Sequence, residues 1–209
     1  MVEELLAGHG RFRNEYAAEE REFLERLAAE GQRPSALYIG CSDSRVVPEL
    51  LTDAAPGDLF VVRNVANHVP ARDHPDTSIG AAIEFALDQL RIADVIVCGH
   101  DGCGGVTAAV DGLPGIEPGS ELGLWLRGLA PAVSRARTLD TDREVQIRRA
   151  VEESVLDGIA NLMTYPVVAA SVEAGRVRLH AWVYSLREAA LRVFDPAQDA
   201  FVGVDEVAG

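Results

Sequence analysis

The chain has 209 residues, 48% hydrophobic and 25% charged, the composition of one ordinary folded domain with a single sizeable core. Acidic residues outnumber Lys and Arg 33 to 19, a formal net charge of -14, and no basic cluster stands out. A field of that sign repels phosphate backbones and anionic lipid, so nucleic acid and membrane are not expected partners. The first residues lack the basic start, apolar run and small-residue cleavage pattern of a secretory signal, and no apolar run reaches bilayer length, so a cytoplasmic protein is expected. Three cysteines, Cys41, Cys98 and Cys103, cannot all pair internally and do not make a disulfide scaffold, which favours metal or catalytic use.

In chain order, residues 12 to 29 space Phe12, Tyr16, Phe23, Leu24 and Leu27 among charges as amphipathic helices do, predicting one or two N-terminal helices that clamp the domain or a partner subunit. ALYIG at 36 to 40 and LFVVR at 59 to 63 are short apolar runs bounded by turn residues and read as buried strands. Residues 77 to 90 put Ile79, Ile83, Ala86, Leu87 and Leu90 on one helical stripe, and DVIVCGH at 94 to 100 is a third buried strand. Gly112 to Gly119 is a Pro/Gly loop, 121 to 133 and 142 to 164 read as helices, and the second of these ends before Pro166. RVRLHAWVY at 176 to 184 reads as a strand with ALRVF at 190 to 194 as its partner. The whole predicts an α/β domain over 1 to 209: a central, mostly parallel sheet flanked by helices, an N-terminal helical arm over 1 to 30 and a late antiparallel edge strand.

Chemistry gathers at two strand ends. In open parallel sheets ligands sit outside the carboxyl ends of the strands, and here Cys41 directly follows ALYIG while His100 and Cys103 follow VIVCG. Zinc favours thiolate and imidazole, and a catalytic site offers three protein ligands with a fourth position left for water, so Cys41, His100 and Cys103 form a candidate zinc set, one ion per subunit. Glycines at 99, 102, 104 and 105 allow the sharp turn the pair needs. Cys98, inside the third strand, reads as core. The polar run Ser42-Asp43-Ser44-Arg45 would be costly to bury without a task, which favours a functional Cys41. His9, His68, His74 and His180 have no second ligand at metal spacing and read as structural or solvated.

CSDSR at 41 to 45 and HDGCGG at 100 to 105, with PGDLFVVRNVAN at 56 to 67 between them, resemble the paired zinc motifs of β-class carbonic anhydrases, and the likeness runs over about residues 31 to 112. The resemblance implies zinc-dependent, reversible hydration of carbon dioxide to bicarbonate through a zinc-bound hydroxide, in a homodimer or higher homo-oligomer. Two thiolates offset the charge of the ion, so activity is expected to rise into the alkaline range. Asp43 is expected to accept the hydrogen of the zinc-bound water and orient it, and Arg45 to hold that carboxylate off the metal through a bidentate pair. If the pair breaks, Asp43 becomes a possible fourth ligand in a closed state. The VRNVAN segment with Arg63 resembles family members in which bicarbonate favours that state, although Tyr38 stands where those members carry tryptophan. The late strand also departs, with His180-Ala181-Trp182 where the family has a central glycine. The same scaffold and ligands resemble enzymes that hydrolyse carbonyl sulfide or carbon disulfide, and a non-catalytic zinc module is the remaining alternative.

Overall fold

The structure is a computed structural model, described here for residues 1 to 204. The chain gathers into two compact units, Met1–Arg33 and Pro34–Gly209. The first holds three helices, α1 (Val2–Asn14), α2 (Tyr16–Glu19) and α3 (Arg21–Glu30), one more than the sequence pattern suggests and beginning ten residues earlier than the pattern at 12. None of the three buries a residue, and Leu5, Leu6, Phe12 and Tyr16 stand exposed. The Phe12 ring lies between His9 and Tyr16 at centroid distances of 6.0 and 5.4 Å, so the helices carry an apolar face with no core of their own beneath it.

The second unit runs β1 (Ala36–Cys41), α4 (Pro48–Thr52), β2 (Leu59–Asn64), α5 (Ser78–Glu84), β3 (Asp94–His100), α6 (Gly104–Val110), α7 (Glu121–Leu126), α8 (Ala130–Leu139), α9 (Arg143–Leu162), α10 (Pro166–Glu173), β4 (Arg178–Ser185), β5 (Ala190–Asp195) and β6 (Ala200–Gly203). The sheet order is β2-β1-β3-β4-β5-β6, with the first four strands parallel, β5 antiparallel to β4 and β6 antiparallel to β5. β1 and β3 lie at the centre, which is why both are near-continuous apolar runs: each strand of a covered parallel sheet is buried on both faces. Leu37, Ile39, Val95 and Val97 enter the main core, whereas Ala36, Tyr38, Ile96 and Cys98 point to the other face and form a second cluster.

Helix α9 covers the main face against β3 and β4. Its buried residues, Ile147, Ala150, Val151, Ser154, Val155, Gly158 and Leu162, step by three and four along one stripe, and the Asp142 side chain caps its start by accepting the Val145 N–H at 2.9 Å. The expected helix at 77 to 90 is found as α5 continued without a break by a wider turn over Phe85–Gln89, in which the Leu90 N–H reaches the Phe85 carbonyl at 3.1 Å. The expected helix at 121 to 133 is divided by a single 3-10 turn at Arg127–Leu129, and the chain restarts as α8 with Pro131 in its first turn, where a missing N–H costs nothing. The 190 to 194 run pairs antiparallel with β4 as its pattern suggests, but the edge is β6. No single helix among the described residues is long and apolar enough to cross a membrane.

Candidate metal centre and its surroundings

β1 and β3 are paired in parallel, Gly40 opposite Cys98, so their carboxyl ends come out side by side. That register carries Cys41 to the His100–Cys103 loop: the ligand atoms of Cys41, His100 and Cys103 all lie within 4.8 Å of one another, and all three residues are buried. The two sulfurs are 3.9 Å apart. Sulfurs about 2.3 Å from one tetrahedral zinc stand about 3.8 Å apart, so this pair suits such an ion. His100 supplies the second test of fit. Its Nδ1 lies 3.0 Å from the Asp101 carbonyl, which requires the hydrogen on Nδ1 and leaves the lone pair on Nε2. That Nε2 is buried with no hydrogen-bond partner, a costly arrangement unless the lone pair has a metal to bind.

The thiols behave as a coupled pair. Cys41 is pushed down because the Cys103 thiol, helped by the main-chain N–H groups of Asp43 and Ala66, favours its anion against the cost of burial. Cys103 is pushed up, since a second thiolate beside the first is opposed by its charge and by burial, while the N–H groups of Val106 and Gly105 at the start of α6 partly offset this. A divalent cation between the sulfurs removes that conflict. Two glycines shape this loop: Gly102 adopts φ +66°, and a Cβ on Gly105 would meet Ala66 at 3.0 Å and Leu126 at 3.2 Å.

Asp43 sits at the rim. Arg45 donates to it from Nε at 2.9 Å, from Nη2 at 2.6 Å and from its own backbone N–H at 3.0 Å, and these bonds hold the carboxyl well below the usual carboxylate range. The Arg45 Nη2 also reaches the Gly102 carbonyl at 3.3 Å, so the arginine ties the first motif to the second. The free side of Asp43 Oδ2 is 3.8 Å from His100 Nε2, too long for a hydrogen bond but beside the ligand cluster.

The carbonic anhydrase family model matches residues 36–191. The chain is 36% identical to a carbonic anhydrase of Pseudomonas aeruginosa, over 98% of this chain and 93% of that one, and 38% identical to carbonic anhydrase 1 of Escherichia coli O157:H7, over 96% and 91%. Among solved structures it is similar to the β-carbonic anhydrase CcaA, with a TM-score of 0.89 and 34% identity over 97% of this chain and 98% of that one. It is also similar to tetrameric β-carbonic anhydrases of Sordaria macrospora, at 0.82 and 28% over 92% and 95%. The chain belongs to the β-class carbonic anhydrase family.

Around this β-carbonic anhydrase centre the structure adds residues that the sequence did not single out. The segment after β2 supports the first ligand. Val65 to Asn67 form one 3-10 turn in which Ala66 and Asn67 both take positive φ, 63° and 45°, an uncommon state for residues with a Cβ. The Asn64 side chain fastens the turn by bonding both the N–H and the carbonyl of His68, at 2.8 and 2.9 Å, and Trp125 donates to the Val65 carbonyl at 2.8 Å. Left-handed alanine leaves no mark in a sequence. The asparagines of the NVAN run are the signal that could have pointed here. Beside the turn a cavity of about 710 Å³ opens, lined among others by Ser42, Arg63, Asn64, Asp76 and Trp125.

The remaining histidines stay outside the cluster. His180 bonds Asp94 at 2.7 Å, and Arg178 grips the same carboxylate with two bonds. His68 packs edge-on against Trp125 at 5.1 Å, so close to Gly128 that a Cβ there would stand 2.3 Å from its ring nitrogen. Burial, with a smaller contribution from His74, pushes the His68 imidazole from 6.5 down to about 4. The unfolded chain therefore takes up this proton before the folded one does. The contribution of His68 to stability is full above pH 6.5 and is lost as pH falls toward about 4. The loss is at most about 3 kcal/mol. Urea melts across that range should show it, and His68→Gln should flatten the pH slope.

Proposed function

We propose that this protein hydrates carbon dioxide reversibly to bicarbonate and a proton, with one zinc ion per subunit held by Cys41, His100 and Cys103. The observation that carries the proposal is the pairing of a buried, unpartnered His100 Nε2 with two sulfurs at tetrahedral spacing, in a chain of this family. When bound there, zinc supplies a water-derived nucleophile near neutral pH and draws charge from the reacting oxygen.

The chain's own groups do the rest. Asp43 stays ionised because Arg45 occupies its other lone pairs, and its Oδ2 faces the ligand cluster, where it accepts and orients a hydrogen of the attacking water. Arg45, anchored on Gly102, keeps that carboxylate from swinging in as a fourth ligand, so the arrangement supports an open, catalytic site over a closed structural one. Cys41 and Cys103 belong to the same buried cluster as Ile39, Val97 and Val106, and that packing shields the two thiols from bulk water.

Stopped-flow assay of the zinc-loaded protein between about pH 6.5 and 9 tests the reading, with carbonyl sulfide hydrolysis measured beside it. Fast carbon dioxide turnover that rises with pH is the expected result. Turnover of carbonyl sulfide alone would move the assignment to that substrate, and one bound zinc without either activity would leave a structural site.

The partner is a second copy of the same chain. The exposed apolar face of α1 and α2 needs a cover, and the Sordaria macrospora relatives are described as tetrameric. Sedimentation velocity should give a dimer or larger, and deletion of residues 1–33 should shift it toward monomer; a monomeric full-length chain would count against the arm as an assembly element. The free, unpaired state of all three cysteines is consistent with a reducing, cytoplasmic setting.

A further inference from the structure

We infer that Arg63 is a positioning residue for the Asp43–Arg45 pair, clamping the main chain that carries both Cys41 and Asp43; this rests on the reaction proposed above.

The parallel ladder sets the clamp. β1 and β2 pair with Gly40 opposite Arg63 and Cys41 opposite Asn64, and the last rung of the ladder is the Ser42 N–H on the Asn64 carbonyl at 2.8 Å. Beyond it the chain leaves the sheet, and regular pairing no longer holds Ser42 to Arg45. At this point Arg63 donates from Nε to the Cys41 carbonyl at 2.9 Å and from Nη2 to the Asp43 carbonyl at 2.7 Å. One rigid guanidinium thus spans the two carbonyls on either side of Ser42, and a strand-edge side chain takes over where the ladder stops.

The grip is needed because of how Asp43 is held otherwise. Its carboxylate is fixed to Arg45, but Arg45 is only two residues further along the same stretch and its side chain is 59% exposed. Bound to each other, the two can swing as one body. The outside restraint on Arg45 is a single bond to the Gly102 carbonyl at 3.3 Å, long for this type. The Asp43 carbonyl also accepts the Val46 N–H at 3.0 Å, a bond local to the same stretch, and Arg63 adds the restraint from outside it, from a strand locked into the sheet. An exposed arginine gains little by burial and loses side-chain freedom when it is held in two bonds to neutral carbonyls. Those bonds are therefore better explained by what they hold than by what they add to the sheet. The fork geometry also matters: a lysine ammonium at the same place is a single point and does not span both oxygens.

The test uses the zinc-loaded full chain with Arg63→Gln, Arg63→Lys and Arg63→Ala. Removing a group that orients the residues around a metal typically costs about 10- to 100-fold in activity. We expect a loss of that size in kcat for the glutamine and lysine variants, with KM within about twofold, one zinc per chain and an unshifted melting temperature. Guanidinium in the buffer should restore part of the activity of Arg63→Ala, and methylammonium should not. In the metal-free protein, the carbonyl carbon resonances of Cys41 and Asp43 should move in Arg63→Gln while those of Gly99 and Val106 stay.

Wild-type kcat in Arg63→Gln overturns the inference. So does an activity loss that tracks loss of zinc or of thermal stability, because Arg63 would then only hold the fold together. Unmoved carbonyl resonances overturn the clamp itself. If the wild-type protein is inert toward carbon dioxide, the proposed reaction fails and Arg63's part in turnover fails with it, while the resonances still decide whether the clamp exists.

Discussion

Replacing Cys103 by alanine is expected to abolish metal binding and to reduce carbon dioxide hydration to the uncatalysed background. Cys103 is buried, stands 3.9 Å from the Cys41 sulfur and shares one ligand cluster with His100, and the nearby acidic group, Asp43, is held by Arg45 instead. A site reduced to one thiolate and one imidazole falls below the three protein ligands that hold a catalytic zinc. The same substitution should erase the stabilisation that zinc confers. A metal at 1,000 times its dissociation constant raises stability by about 4 kcal/mol, and that increment should vanish from the thermal melt of the variant. Cys98→Ala is the control. Cys98 lies on the other face of the sheet, with its thiol pushed up to about 12 by burial, and its loss should leave zinc content and activity in place. A zinc-bearing, active Cys103→Ala protein would remove the candidate centre from consideration.

Asp43→Asn should separate metal binding from chemistry. The amide keeps the volume but loses the charge that Arg45 grips through two bonds and the acceptor that faces the cluster. Zinc should stay at one per chain, because the three ligands are untouched, while kcat falls by about 10²- to 10⁴-fold, the range typical for a lost proton-accepting group. The direction of the Asp43 shift keeps its own titration out of the working range. Arg45 holds the carboxyl below its usual range, so Asp43 is ionised throughout the neutral and alkaline region, and its own titration should not appear in the activity profile there. In Arg45→Gln the carboxylate, ionised with or without the arginine at these pH values, is free to turn inward and compete with water for the open position. Hydroxide competes best in the alkaline range, so activity should fall most at the acid end of the profile. Full activity for Asp43→Asn would show that the carboxylate is not part of the reaction.

The strands were the legible part of the sequence. ALYIG and DVIVCGH are found within a residue of their expected limits, because a strand buried on both faces must be apolar at every position and has no other way to be written. That Cys41, His100 and Cys103 lie together was legible for a related reason: a parallel sheet brings its strand ends to one edge, so three residues of metal-ligating type at or just past two such ends have to meet. Helix limits were less legible. α6 went unread because it opens on Gly104 and Gly105, residues that argue for a loop in sequence but are needed where the chain crowds Ala66 and Leu126. β6 has only four residues and no alternation to separate it from a turn. Arg63 was noticed only as part of a motif. Its bonds to two carbonyls follow from the register between β1 and β2, and register is a property of the pairing that no single strand displays.

The parallel pairing of β1 with β3 also bears on how the protein matures. The sulfurs of Cys41 and Cys103 belong to residues 62 apart in the chain, while His100 and Cys103 share one short loop. A growing or refolding chain therefore offers an ion only a two-donor foothold until the central strands have joined, and joining parallel strands across such a distance is among the slower events in folding. Metal capture is then a late step that follows assembly of the sheet. Zinc added at the start of refolding should leave the rate of the main phase almost unchanged, and should act mainly by trapping chains that have already brought the two strand ends together.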